Sequence, residues 1–300
     1  MASLVASGPR RPRAVSLDAG GVLLLPDPER VRAALRPLLT EHRAPPGRAA
    51  TRPGSLRLLL ADERLVAAHY AGMAAFDRPA ASPVVRSARY RAAYARALGF
   101  AGPALPATLA ALGACFAEAG LWSVPAPGAR VVVGCLAAWG VPVVVVSNTE
   151  HGEAAALLAR AGIWSHPVPV HPRDPRVPGS AAQGSPPTAP AAPPAAATPA
   201  AATPPWPSSG PPVVDSARVG VAKPDPAIFR FALDALDVGP EALLHVGDSS
   251  AADVAGATAA GIAALHLDPL DRCPDRRHPH LASLLELLGR FDPAGGSEPG

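Results

Sequence analysis

The sequence predicts an α/β fold, a parallel sheet whose first strand is separated from the others by an all-helical insertion. Two patterns carry that reading. Short apolar runs alternate with amphipathic stretches, the rhythm of strands and covering helices. Between residues 26 and 126 this alternation stops and only helical spacing remains.

The first run, residues 14–17, ends on Asp18 with Gly20 and Gly21 close behind, so a buried strand turns sharply where open sheets bind ligands. Residues 28–42 place Val31, Leu35, Leu38 and Leu39 on one helical face, with Pro37 expected to kink the helix or split it in two. A turn-rich stretch, 43–55, leads into helices at 56–76, 83–98 and 108–119, the second opened by a proline in its first turn. From residue 127 the alternation returns. A helix at 129–139 ends at Gly140, and Val143–Val146 is β-branched throughout, as in a strand buried on both faces. Ser147, Asn148 and Thr149 follow it, then a helix at 153–160. Beyond residue 213 come a helix at 224–236, a strand at 242–246 running into Gly247 and Asp248, and a helix at 253–260. A last core strand at 262–267 and a closing helix at 281–288 complete the chain.

Residues 166–212 break the rhythm. Pro, Ala, Ser, Thr and Gly dominate there without hydrophobic periodicity, which predicts a disordered insertion holding one loosely packed aromatic, Trp206. The expected organisation is core at 1–25, helical block at 26–126, core at 127–165, insertion at 166–212, core at 213–291 and a flexible tail at 292–300.

Bulk properties exclude several classes. A net charge of +3, with arginines scattered and no basic stripe interleaved with aromatics, argues against a nucleic-acid partner. Cys115, Cys135 and Cys273 are odd in number and far apart, so neither a disulfide framework nor a metal spacing is expected. No apolar run reaches membrane-spanning length, and the run after Arg10, Arg11 and Arg13 is too short for a signal core. A cytoplasmic protein follows. His278 and His280 read as a solvated turn, and nothing in the sequence fixes an oligomeric state.

Four polar clusters stand at expected strand ends or in the loops after them: Asp18; Ser147 with Asn148; Lys223; and Asp248 with Asp253. A parallel sheet brings such ends to one edge. Carboxylates gathered around one lysine and a hydroxyl predict a site for a divalent cation and an anion, and Mg2+ suits it because it takes few carboxylates.

These stretches, LDAGGVL, VVVVSN, SARVGVAKPDPAIF and HVGDSSAADVAGATAAG, together resemble the four motifs of the haloacid dehalogenase-like hydrolase superfamily. The resemblance implies a Rossmann-like core with a helical cap inserted after the first motif. It further implies hydrolysis of a small phosphorylated metabolite through an aspartyl-phosphate. Asp18 would be the nucleophile and Lys223 its partner in catalysis. Ser147, Asn148 and Lys223 would bind the phosphoryl group, and Asp18, the Gly20 carbonyl, Asp248 and Asp253 would hold Mg2+.

One position departs from the pattern. Phosphatases of the family carry a second Asp two residues after the nucleophile as general acid and base, and here that position is Gly20. His69, Tyr70, Tyr90 and Tyr94 in the helical block are the candidate substitutes. Two alternatives remain at this stage: a phosphate-binding or protein-binding module without turnover, and a dehalogenase-like enzyme, which the Gly247–Asp248 pair disfavours.

Overall fold

The computed structural model describes residues 12–41, 62–80, 82–171 and 210–292. β1 (Ala14–Leu17) lies at the centre of a seven-stranded sheet. The others are β4 (Val143–Ser147), β5 (Val168–Pro169), β6 (Pro212–Asp215), β7 (Leu243–Gly247), β8 (Ala263–Leu267) and β9 (His280–Leu281). The order is β5-β6-β4-β1-β7-β8-β9 and every pairing is parallel. β1 and β4 are buried along their whole length, which is why their sequences are continuous apolar runs rather than alternating ones. One face packs on α5 (Ala129–Ala138) and α6 (Ala154–Arg160), the other on α7 (Ala227–Leu236) and α8 (Ala255–Ala259).

The helical insertion comprises α1 (Pro28–Glu41), α2 (Asp62–Phe76), α3 (Pro83–Ala97) and α4 (Leu105–Phe116), packed around a core of their own that includes Leu35, Tyr90, Tyr94 and Leu112. The stretch is not purely helical. β2 (Leu24–Pro26) and β3 (Trp122–Pro125) form an antiparallel ribbon where the chain leaves and re-enters the sheet domain. Three or four residues are too short a run to show a strand period in sequence. Pro37 neither breaks nor splits α1: it lies on the exposed side while Val31 and Leu35 hold the opposite face in the insertion's core.

Other boundaries shift. The expected strand at 262–267 is not the last, because β9 pairs beyond it, and Leu281 belongs to β9 rather than to a helix. The closing helix is a 3-10 stretch, Leu284–Arg290. The helix expected from 253 is preceded by a wide π-helical turn, Ser250–Val254, and the one expected from 224 starts at Ala227. The expected insertion at 166–212 overlaps β5 and the first residue of β6; residues 172–209, with Trp206, lie outside the described residues, as do 42–61 and 293–300. Among the described residues no helix is long and apolar enough to cross a membrane.

Candidate active site

All four polar clusters meet at the C-terminal edge of the sheet, beneath α2. β1 delivers Asp18, its neighbour β4 delivers Ser147, and β7 on the other side delivers Asp248. A cavity of about 480 Å3 opens between this edge and the helical insertion; Asp18, Gly20, Ser147, Asn148, Lys223, Asp248 and Asp253 line it from below, His69 and Trp122 from above.

Lys223 organises the floor. Its Nζ donates to Asp18 Oδ1 at 2.8 Å, Asp253 Oδ1 at 2.6 Å and the Val146 carbonyl at 2.8 Å, which engages all three ammonium hydrogens. Asn148 clamps the lysine's backbone: its amide oxygen accepts from Lys223 N and its amide nitrogen donates to Lys223 O, both at 2.9 Å. That side chain positions Lys223, a role its place after a strand could not reveal, and one amide hydrogen is left over on the cavity wall. Behind Asp253 a buried relay continues through His245 Nε2 at 3.1 Å to Ser16 Oγ, 3.0 Å from His245 Nδ1.

The two oxygens of Asp18 are inequivalent. Oδ1 accepts from Lys223 and from Ala19 N at 2.7 Å. Oδ2 makes no hydrogen bond among the described residues, and no buried side-chain oxygen there lacks a partner, so Oδ2 is the oxygen open to the cavity. Ser147 Oγ is in the same position. Burial pushes the Asp18 carboxyl up to about 8 against the pull of Lys223, with Asp253 and Asp248 adding to the rise. Burial, then Asp253, also pushes Asp248 well above the usual carboxylate range. Burial alone would raise Asp253 too, but Lys223 and His245 outweigh it and hold it low.

Asp18, Asp248 and Asp253 each offer an oxygen within 4.8 Å of the others. Three buried carboxylates share one ammonium, an excess of hard, negative oxygen donors that fits a divalent cation such as Mg2+. Two glycines make the crowding possible. At Gly21, whose φ is +76°, a Cβ would stand 1.8 Å from Asp248 Oδ2; at Gly247 it would stand 2.0 Å from the Asp253 carboxyl carbon.

The helical insertion reaches into this floor. His69 Nε2 lies 2.9 Å from Asp248 Oδ2 and His69 Nδ1 lies 2.9 Å from the Tyr90 hydroxyl. Burial lowers His69 to about 3, so the ring is neutral and is held between the Asp248 carboxyl and the Tyr90 hydroxyl. Tyr70 donates to the Gly21 carbonyl at 2.8 Å. Of the four residues considered as substitutes for the missing Asp, only His69 lines the cavity; Tyr94 is buried in the insertion's own core. Sequence reasoning missed Asp77, just past α2. Its carboxylate accepts from Ser249 Oγ at 2.5 Å and Ser250 N at 2.6 Å, tying the insertion to the loop after Asp248. Asp215 was missed as well: it accepts from Thr149 Oγ1 and from the backbone N–H groups of Ala154 and Ala217, which fixes the loop after Ser147.

Comparisons with known proteins bear on the family and the fold. A family model for haloacid dehalogenase-like hydrolases matches residues 193–261. A phosphoserine phosphatase of Thermus thermophilus is 48% identical over 56 residues, 19% of this chain and 22% of that protein. Haloacid dehalogenase-like hydrolase domain-containing protein 3 of Mus musculus is 39% identical over 93 residues, 29% of this chain and 37% of its own. The chain thus spans well under half the length of these relatives. In fold it is similar to YfnB of Bacillus subtilis, a HAD-hydrolase solved bound to magnesium, with a TM-score of 0.51 at 16% identity over 94% of this chain and all of that one. Residues 193–261 thus resemble the haloacid dehalogenase-like hydrolase family, and the fold of the chain is similar to that of a HAD-hydrolase.

Proposed function

We propose that the chain is a Mg2+-dependent phosphatase that hydrolyses a small phosphorylated metabolite in the cytoplasm through a phosphorylated Asp18. The observation that supports this best is the division of labour on that carboxylate: one oxygen held by Lys223 and Ala19 N, the other open to the cavity. In this reading residues 26–126 form a cap that closes over the substrate.

With a bound cation holding it ionised against the rise that burial imposes, Asp18 attacks phosphorus through Oδ2, and the bond from phosphorus to the leaving oxygen breaks with its electron pair. Lys223 stays protonated throughout. Burial opposes its charge, but Asp18 and then Asp253 raise its pKa. It aims Asp18 and offsets charge on the transferring group. Ser147 Oγ donates to a phosphoryl oxygen, and Asn148 serves by holding Lys223. Asp18, Asp248 and the Gly20 carbonyl would hold Mg2+, with Asp253 in support, and the bound ion would neutralise charge on the phosphoryl oxygens. Water then cleaves the acyl phosphate and regenerates Asp18.

Gly20 gives the leaving group no proton, and His69 Nε2 is engaged with Asp248. Acyl and anhydride phosphates, whose leaving groups need none, therefore suit the site best. The same glycine favours a second reading, a module that binds phosphate and Mg2+ without turnover. Acid-quenching the chain with acetyl phosphate and Mg2+ decides between the two. A phosphorylated peptide containing Asp18 supports the hydrolase; ligand binding with no such peptide and no phosphate release supports the binder.

A further inference from the structure

On the far side of Asp248, three imidazoles and a thiol converge. His266 comes from β8, Cys273 from the loop after it, and His278 and His280 from the entry to β9. One ligand atom of each lies within 4.8 Å of the other three. His278 Nε2 is the hub, 3.2 Å from His266 Nδ1, 2.9 Å from His280 Nε2 and 3.7 Å from Cys273 Sγ. Ligands on a tetrahedral ion with bonds of about 2.0–2.1 Å to nitrogen and about 2.3 Å to sulfur stand roughly 3.3–3.6 Å apart. The observed separations bracket that range. The expected solvated turn is instead a packed cluster, with the His278 side chain only 12% exposed.

The surroundings fix these groups as ligands need to be fixed. His266 Nε2 is 3.1 Å from the Asp248 main-chain oxygen. A carbonyl can only accept, so Nε2 carries the proton and Nδ1 turns its lone pair on the cluster. Metal-binding histidines usually have such a partner on the other nitrogen. Asp268 shapes the loop by accepting from Arg272 N at 3.0 Å and Cys273 N at 2.7 Å. Arg276 donates to His280 Nδ1 at 2.9 Å, which leaves the proton of that ring on Nε2. Binding through Nε2 moves it to Nδ1; Asp268 and Asp271 each have an oxygen within 4.8 Å of a His280 ring nitrogen. Arg276 is exposed and already paired with Asp271, so it can turn aside.

We propose that His266, Cys273, His278 and His280 form a closed structural Zn2+ site that pins the β8–β9 connection and, through His266, the backbone at Asp248. Three nitrogens and a sulfur are the wrong donors for Mg2+ and the right ones for Zn2+. Four protein ligands leave no open position, so the role is structural rather than catalytic. The strand it would anchor, β9, has only two residues of its own.

The test uses the full chain, purified reduced and without added metal. About one zinc per chain should survive desalting, Asp18→Asn should keep it, and Cys273→Ser and His278→Ala should each lose it. Zinc affinity in those two variants should fall by more than the about 10–100-fold that outer-shell losses cost. Because a variant can fail by misfolding, Co2+ is also added to zinc-stripped wild-type protein. A four-coordinate site with one thiolate gives intense visible bands and a sulfur-to-cobalt charge-transfer band, the latter absent in Cys273→Ser. A wild-type chain with neither zinc nor the thiolate–cobalt band would overturn the proposal. So would zinc held equally tightly by both ligand variants, or zinc lost on Asp18→Asn.

Discussion

Restoring the carboxylate at position 20 tests how this site handles the leaving group. Gly20 does not have a left-handed backbone, and a Cβ built there meets only the Trp122 ring, at 3.6 Å, an ordinary contact. Gly20→Asp should therefore fold without strain and place an acid in the cavity two residues after Asp18. It joins three buried carboxylates, so its pKa should rise, which favours the protonated form a general acid needs. A positioned acid typically contributes about 10²–10⁴-fold, or roughly 3–6 kcal/mol of barrier at about 1.4 kcal/mol per decade. The assay is kcat against two substrates, an alkyl phosphate with a poor leaving group and acetyl phosphate with a good one, with Gly20→Asn as the isosteric control. The alkyl phosphate should gain about 10²-fold or more with Asp and little with Asn, while acetyl phosphate changes by less than about tenfold. An Asp variant no faster than Asn on the alkyl phosphate, with folding and Mg2+ binding intact, would refute the reasoning.

Three further outcomes follow from the same geometry. Gly21→Ala forces a left-handed φ on an L residue and drives a Cβ into Asp248 and His69, so Mg2+ affinity measured by calorimetry should fall at least about tenfold; unchanged affinity would show that Asp248 does not hold the ion. Asp77→Ala removes a charged acceptor of two close hydrogen bonds and should cost about 1.5–3 kcal/mol in denaturant unfolding; a loss below about 0.5 kcal/mol would mean the tie is solvent-exchanged. Because Asp18 is raised from 3.8 to about 8, the native state binds an extra proton across that window. In chelator the melting temperature should thus fall as pH rises from 5 to 8, and the Asp18 share of that fall should vanish in Asp18→Asn and shrink with Mg2+; a slope identical in Asp18→Asn would assign it to other groups.

Much of this was legible in sequence because it is local. Asp18, Ser147 and Asp248 each end an apolar run, and parallel strands carry such ends to one edge whatever the rest of the chain does. What stayed hidden depends on distance. His69 was a candidate, but its contact with Asp248 spans 179 positions; Asp77, which meets Ser249 across 172, looks in its own neighbourhood like an ordinary position at a helix end. The β2–β3 ribbon and β9 were missed because two to four residues show no period. At Pro37 the local cost was visible, but the packing of Val31 and Leu35 in the insertion's core, on the helix that runs unbroken through it, was not. Asn148 was found, but its task was set by a lysine 75 positions away.

The most direct measurement is phosphate release from a panel of phosphorylated metabolites and acyl phosphates, with and without Mg2+, with Asp18→Asn as the blank. Turnover that requires both the ion and Asp18, strongest on substrates with good leaving groups, is the predicted result. Turnover that survives Asp18→Asn would contradict it, as would silence across the panel from a chain that still binds Mg2+ and phosphate.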